Sequence, residues 1–155
     1  AGPAMPTVPT NSYEQAIATI MSELPEGKVI FAGMMENVAP LLAACDLLVF
    51  TGMKSHFPRP MFEAWRMKKP VIVFEMDGIS TNVDHQVDGI IVKDISGKSL
   101  GEAVAKLLQD PSAMQRFGEA GFAKAERKCD PVSVAEQVMN LYTKVLSRSD
   151  SKVDL

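Results

Sequence analysis

The residues most suited to chemistry in this chain of 155 residues cluster around one carboxylate, Glu63. Glu63 closes the stretch HFPRPMFE, which begins at His56 and runs on into AWRMKKPVIVF. Pro58 and Pro60 fix φ and remove backbone donors at their own positions. Proline near a helix start is pre-organised for it. Met61, Phe62, Trp65 and Arg66 follow at helical spacing, and Lys68-Lys69-Pro70 closes the helix with positive charge and a breaker. Val71-Ile72-Val73-Phe74 has the pattern of a strand covered on both faces. The spacing therefore predicts Glu63 in the first turn of a helix, at the carboxyl edge of the preceding strand. That edge is where ligands bind in open α/β sheets. Acidic residues also favour the first turn of any helix, which gives Glu63 a purely structural reading as well.

Around Glu63 stand further candidates. Lys54 and Arg59 flank the corner and have the charge to meet a phosphate, though each also suits a solvated surface. Ser55 and Thr51 are hydroxyl donors for a sugar or phosphate, or ordinary loop and capping groups. Phe57 lies in the same corner. The candidate substrate-binding residues are thus Glu63, Ser55, Arg59, Lys54 and Phe57. Gly78 to Thr81 offers backbone N–H groups to an anion, or a plain turn. Glu75 and Asp77 at a strand end suit a cation or solvent. His56 and His85 are the only imidazoles, and no His/Cys cluster has zinc spacing. No metal and no cofactor is expected, and no catalytic residue is assigned. A Ser-His-Asp arrangement, a Walker loop and a dinucleotide fingerprint are likewise not found.

The elements that must hold these residues alternate. A proline-rich lead-in, Ala1 to Thr10, precedes a helix capped by Asn11 or Ser12, with Tyr13, Ile17, Ile20, Met21 and Leu24 as its apolar stripe. Lys28 to Ala32 is a predicted strand. Asn37 caps a short helix carrying Val38, Leu41, Leu42 and Ala44. Asp46 leads a second strand, Leu47 to Phe50, before the corner. After the third strand, a short helix is expected over Thr81 to Val87, then a turn at Asp88-Gly89 into a fourth strand, Ile90 to Val92. Ser96 or Ser99 caps the next helix, with Leu100, Val104, Leu107 and Leu108 inward. Asp110-Pro111 opens a helix to about Arg127. Asp130-Pro131 opens the last, with Val134, Val138, Leu141, Tyr142 and Val145 inward. Residues 1–147 form the domain and 148–155 a polar tail. The class is α/β with a mainly parallel sheet.

Composition narrows the function. A formal net charge of −3 gives no basic surface for nucleic acid. No apolar run reaches membrane-spanning length and no signal peptide opens the chain, so a cytoplasmic location is expected. Cys45 and Cys129 are expected to be reduced. The ten methionines are expected to fill the core.

The order and spacing of VIFAGMMENVAPLLAACDLLVF, HFPRPMFEAW, KKPVIVF, VDGIIV and the helix ending in LYTKVL resemble the carboxyl-terminal half of a group 1 glycosyltransferase. The resemblance runs roughly from Ala1 to Leu146. It implies a Rossmann-like GT-B domain with helices on both faces of the sheet. It also implies retaining transfer from a UDP-, GDP- or ADP-linked sugar, opposite a facing amino-terminal domain in the intact enzyme. The family carries a pair of glutamates with seven residues between them. The second matches Glu63, which the resemblance makes an acceptor for the ribose hydroxyls of the nucleotide. The first falls at Ser55, and a glycine common in the corner is Pro58 here.

The resemblance further implies that the first two strands of the family domain, with an Arg and a Lys that grip the pyrophosphate, would precede Ala1. Read this way, the chain is a truncated portion of a transferase, expected to bind nucleotide weakly and not to turn over alone. An incomplete sheet predicts self-association, or direct pairing of strand 28–32 with strand 46–50. The alternative reading, favoured by Ser55 at the glutamate position, is a non-catalytic interaction module that reuses the fold.

Overall fold

A computed structural model describes residues 12–25, 29–30, 32–53 and 57–150. The chain divides into two compact units, residues 1–38 and 39–155. In the first, helix α1 spans Ser12–Ser22. Ile17 and Met21 on its apolar stripe are half-buried, while Ile20 and Leu24 are exposed.

The second unit holds the sheet. Helix α2 (Ala39–Ala44) leads to strand β1 (Leu48–Phe50), helix α3 (Arg59–Arg66) and strand β2 (Val71–Phe74). A one-turn 3-10 helix (Ser80–Asn82) precedes strand β3 (Gly89–Val92), and helices α4 (Gly97–Leu108), α5 (Pro111–Lys128) and α6 (Pro131–Asp150) follow. The strands lie in the order β1-β2-β3, all parallel, with Val49 beside Ile72 and Ile72 beside Ile90.

Every residue of β2 is buried, because alternate side chains feed two different cores. Val71 and Val73 pack with Met61, Phe62, Ala64 and Trp65 of α3, and with Ile79, Val83 and Ala125. Ile72 and Phe74 point the other way, to Val92, Leu107, Ala113 and Phe117. Helix α5 thus serves both faces. It lies close against α3 because Gly118 and Gly121 leave room. A Cβ at Gly121 would overlap the Trp65 indole, and one at Gly118 the Lys68 carbonyl.

A buried polar node ties these layers. Lys124 of α5 pairs with Asp88, meets Asp84 at 2.8 Å and donates to the Asn82 carbonyl at 3.0 Å. Its ammonium lies 5.3 Å from the centroid of the Trp65 ring, and the Trp65 indole N–H donates to the Asp88 carbonyl at 2.9 Å. Asp88 Oδ1 accepts the Asp84 N–H at 2.9 Å. Burial raises the Asp88 pKa, against the hydrogen bond and charge of Lys124. The Lys124 hydrogen bond and charge lower that of the more exposed Asp84.

Several expectations are corrected. Residues 29, 30 and 32 are not in a strand, and Ile30 is exposed. Lys28 and Phe31 lie outside the described residues. An extended run is stable only where its backbone groups are paired, and the described sheet holds β1, β2 and β3 alone. The helix expected over 81–87 is reduced to one 3-10 turn. Asp88 pins the Asp84 N–H, and His85 bridges to Gly89. Of the methionines, Met61 is fully buried, whereas Met34, Met35, Met53, Met67 and Met139 are exposed. Leu108 is exposed, as are Val134, Val138, Leu141, Tyr142 and Val145 of α6, whose stripe has helical spacing but no cover among the described residues. Helix α6 also continues past Ser147 to Asp150. Cys45 and Cys129 are free thiols.

Candidate functional site

The corner between β1 and α3 is built from its prolines. Pro58 occupies the cap position without a side-chain cap, and Pro60 sits in the first turn. Neither has an N–H to leave unsatisfied. The Arg59 N–H donates to the Phe57 carbonyl and the Met61 N–H to the Pro58 carbonyl, both at 3.0 Å. Met61, Phe62, Ala64 and Trp65 are then driven inward, which anchors the helix and leaves Arg59 and Glu63 on its outer side.

Because the helix begins at Arg59, Glu63 stands in the second turn, not the first as expected; no acidic residue occupies the first turn. Glu63 is half-buried, with its side chain 40% exposed, and lies 3.8 Å from the Arg59 guanidinium one turn earlier. Both partners are open to water, so the pair contributes little to stability, and the carboxylate keeps acceptor capacity for a ligand. Phe57 is exposed and stacks on Phe62 with ring centroids 4.8 Å apart. Phe62 in turn meets Trp65 edge-on at 5.2 Å. The structure therefore brings Glu63 beside Arg59 on the outer side of α3, and sets Phe57 against Phe62. Lys54 and Ser55, with His56, lie outside the described residues.

Parallel strands put the loops after β1, β2 and β3 on one edge of the sheet. In the loop after β2, Gly78 takes a left-handed φ of 76°. The N–H groups of Ile79 and Ser80 both donate to the Met76 carbonyl, at 3.1 and 2.9 Å. Ser80 Oγ donates to the same carbonyl at 2.9 Å, and the Asn82 amide to the Gly78 carbonyl at 3.0 Å. Those donors are spent on the turn, which decides between turn and anion site in favour of the turn. Glu75 and Asp77 are exposed, and among the described residues no group of acids, histidines and cysteines could hold a metal ion.

The loop after β3 contributes a cluster whose membership sequence spacing left open. Asp94 accepts from Ser99 Oγ at 2.6 Å and Ser96 Oγ at 2.7 Å, which lower its pKa. Ser96 is the α4 cap, accepting the Ser99 N–H at 3.2 Å. The D-x-S-x-x-S spacing was the available signal for this arrangement.

Residues 10–124 match the family model of group 1 glycosyl transferases. The chain belongs to the group 1 glycosyltransferases. Among curated relatives of this glycosyltransferase chain, the human alpha-1,3/1,6-mannosyltransferase ALG2 is 31% identical over 106 residues, covering 68% of the chain and 25% of the relative. An N-acetylgalactosaminyltransferase of Campylobacter jejuni, acting on N,N'-diacetylbacillosaminyl-diphospho-undecaprenol by its name, is 26% identical over 123 residues, 79% of the chain and 32% of the relative. The fold is shared with Anabaena HepE solved in complex with UDP-glucose, at a TM-score of 0.78 and 24% identity over 85% of the chain and 37% of HepE. It is shared also with sucrose-phosphate synthase of Thermosynechococcus elongatus, at 0.79 and 22% identity, over 95% of the chain and 38% of the synthase. The glycosyltransferase chain thus spans about a quarter to two-fifths of the length of these proteins. It has the Rossmann-like α/β architecture of the GT-B glycosyltransferases. Among the described residues no helix is long and apolar enough to cross a membrane.

Proposed function

We propose that this chain binds the nucleotide-diphosphate part of a sugar donor at the β1–α3 corner, with Glu63 accepting hydrogen bonds from the ribose hydroxyls. The observation that carries the reading is the half-buried Glu63 carboxylate at the sheet's carboxyl edge, exposed enough to accept and paired only loosely with Arg59. HepE, which shares the fold, was solved with UDP and with UDP-glucose, and this supports a nucleotide sugar as the ligand class. Phe57, exposed and stacked on the buried Phe62 at the start of the same helix, is a candidate apolar contact for the ligand. Arg59 is a cation for the diphosphate, and Lys54 and Ser55, which precede it in the sequence, are further candidates for the same ligand.

In the intact enzyme the donor held here would face an amino-terminal domain that positions the acceptor, and transfer would proceed with retention. The apolar stripe of α6, uncovered among the described residues, supports a facing surface. The outer position of β1 supports a further strand beside it, from the rest of the protein or a second copy. Residues 1–147 act as the partial donor domain, in a cytoplasmic protein.

The test is a titration of UDP, GDP and ADP against the wild type, Glu63→Gln and Glu63→Ala. Loss of a charge-assisted hydrogen bond weakens binding by about ten-fold. Equal affinity in all three proteins removes Glu63 from the site.

A further inference from the structure

A second concave site lies away from the Glu63 corner. It is a groove of about 420 Å³ between β3, α4 and α5. Its position follows from topology. His85, before β3, and Ile90, near that strand's start, line one side, with the last turn of α4 and the first turns of α5 opposite. These parts meet at the amino edge of the sheet, opposite the edge that carries Glu63. The volume falls in the range of small-molecule sites, roughly 300–1,000 Å³.

The floor is apolar: Ile90, Leu107, Ala113 and Phe117. The rim is not. Lys106 and Arg116 approach from different helices, and among the described residues neither forms an ion pair with a carboxylate. Lys106, in the last turn of α4, also complements that helix's carbonyl end. Arg116 has no such role, since it lies in the second turn of α5. Its guanidinium donates to Ser112 Oγ at 3.1 Å and lies 6.0 Å from the centroid of the Phe117 ring. Among the described residues most of its five donors therefore remain unused. His85 adds a third donor. Its Nδ1 accepts the Ile91 N–H at 3.0 Å, so the neutral ring carries its proton on Nε2. The one carboxylate on the rim, Asp110, is committed to capping α5 by accepting the Ala113 N–H at 2.8 Å.

We infer that this groove binds a small amphiphile: an apolar body against Ile90, Leu107 and Phe117, with one anionic head, phosphate or carboxylate, held by Arg116 and Lys106. Two cations that form no ion pair among the described residues, beside an apolar hollow, present charge complementarity to such a molecule. The half-enclosed hollow suits a compact ligand. The site is separate from the Glu63 corner, and its test does not depend on nucleotide binding.

The experiment titrates the whole chain with octyl phosphate, sodium octanoate, octanol and inorganic phosphate, reading the methyl resonances of Ile90 and Leu107. The two anionic amphiphiles are expected to move both methyls and to bind at least about ten-fold more tightly than octanol or phosphate alone. Whichever of the two binds more tightly identifies the head group. Arg116→Gln should weaken that binding by about ten-fold, in keeping with a lost charge-assisted contact. Ala113→Leu, which fills the floor, should abolish it. Still methyls, equal binding of octanol and octyl phosphate, or wild-type affinity in a folded Arg116→Gln variant would overturn the inference.

Discussion

Replacing Lys124 by methionine keeps most of the side chain's length and removes only its charge and donors. Asp88, whose side chain is 1% exposed, would then be a buried carboxylate without its cation. Breaking a buried ion pair from one side costs about 3–5 kcal/mol. The lower end applies here, because Asp84 is 68% exposed and regains water when released. About 3 kcal/mol corresponds to a fall in Tm of roughly 6–12 °C for a domain of this size. The same change should depend on pH in a fixed direction. Burial already raises the folded pKa of Asp88, so its ionised form destabilises the fold as pH rises through that value. Removing Lys124 takes away its lowering influence and pushes the pKa higher still. The Asp84 pKa is lowered in the wild type, so its contribution is present above the ordinary carboxylate value and lost as pH falls. Both effects make the difference between wild type and Lys124→Met largest near neutral pH and smaller in acid. Urea unfolding across pH, with unchanged m-values, measures this. A variant within about 0.5 kcal/mol of wild type at pH 7, or a gap that widens on acidification, would refute the reasoning; surface substitutions lie within that margin.

Gly121→Ala should destabilise by about 1–3 kcal/mol, because the new methyl overlaps the Trp65 indole and overpacking of a rigid core costs that much; thermal unfolding checks it. Ser96→Ala should cost about 1 kcal/mol through loss of the α4 cap, read by urea unfolding. Asp110→Ala should cost a similar amount, about 1 kcal/mol, by the same mechanism in α5. Tyr142→Lys on α6 should leave the stability of the isolated chain within about 0.5 kcal/mol, since the side chain is exposed; a large loss of Tm would mean that α6 is packed.

The local patterns that could be read from the chain were those written in adjacent residues. Pro58, Pro60 and the run of buried residues after them set α3, and the Ser96 and Asp110 caps set the starts of α4 and α5. The apolar run 71–74 set a strand buried on both faces, and the family followed from the order of such pieces. Patterning failed where an apolar residue's partner decides its burial. Val134, Val138 and Leu141 repeat at helical spacing whether or not anything covers them, and they are uncovered among the described residues. Residues 29 and 30 have strand chemistry but not strand structure.

What required the tertiary structure was every relation between distant residues. The sequence alone determined that Glu63 follows a strand and sits on a helix; the start of that helix at Arg59 moved it one turn inward, beside Arg59. Nothing in the spacing of Lys124, Asp88 and Trp65 announces that they meet, nor that two glycines of α5 admit the indole. Short-range order follows from backbone preferences and periodicity, which act within a few residues. Burial and charge pairing are settled only when separate elements pack, because only then is water removed from between them.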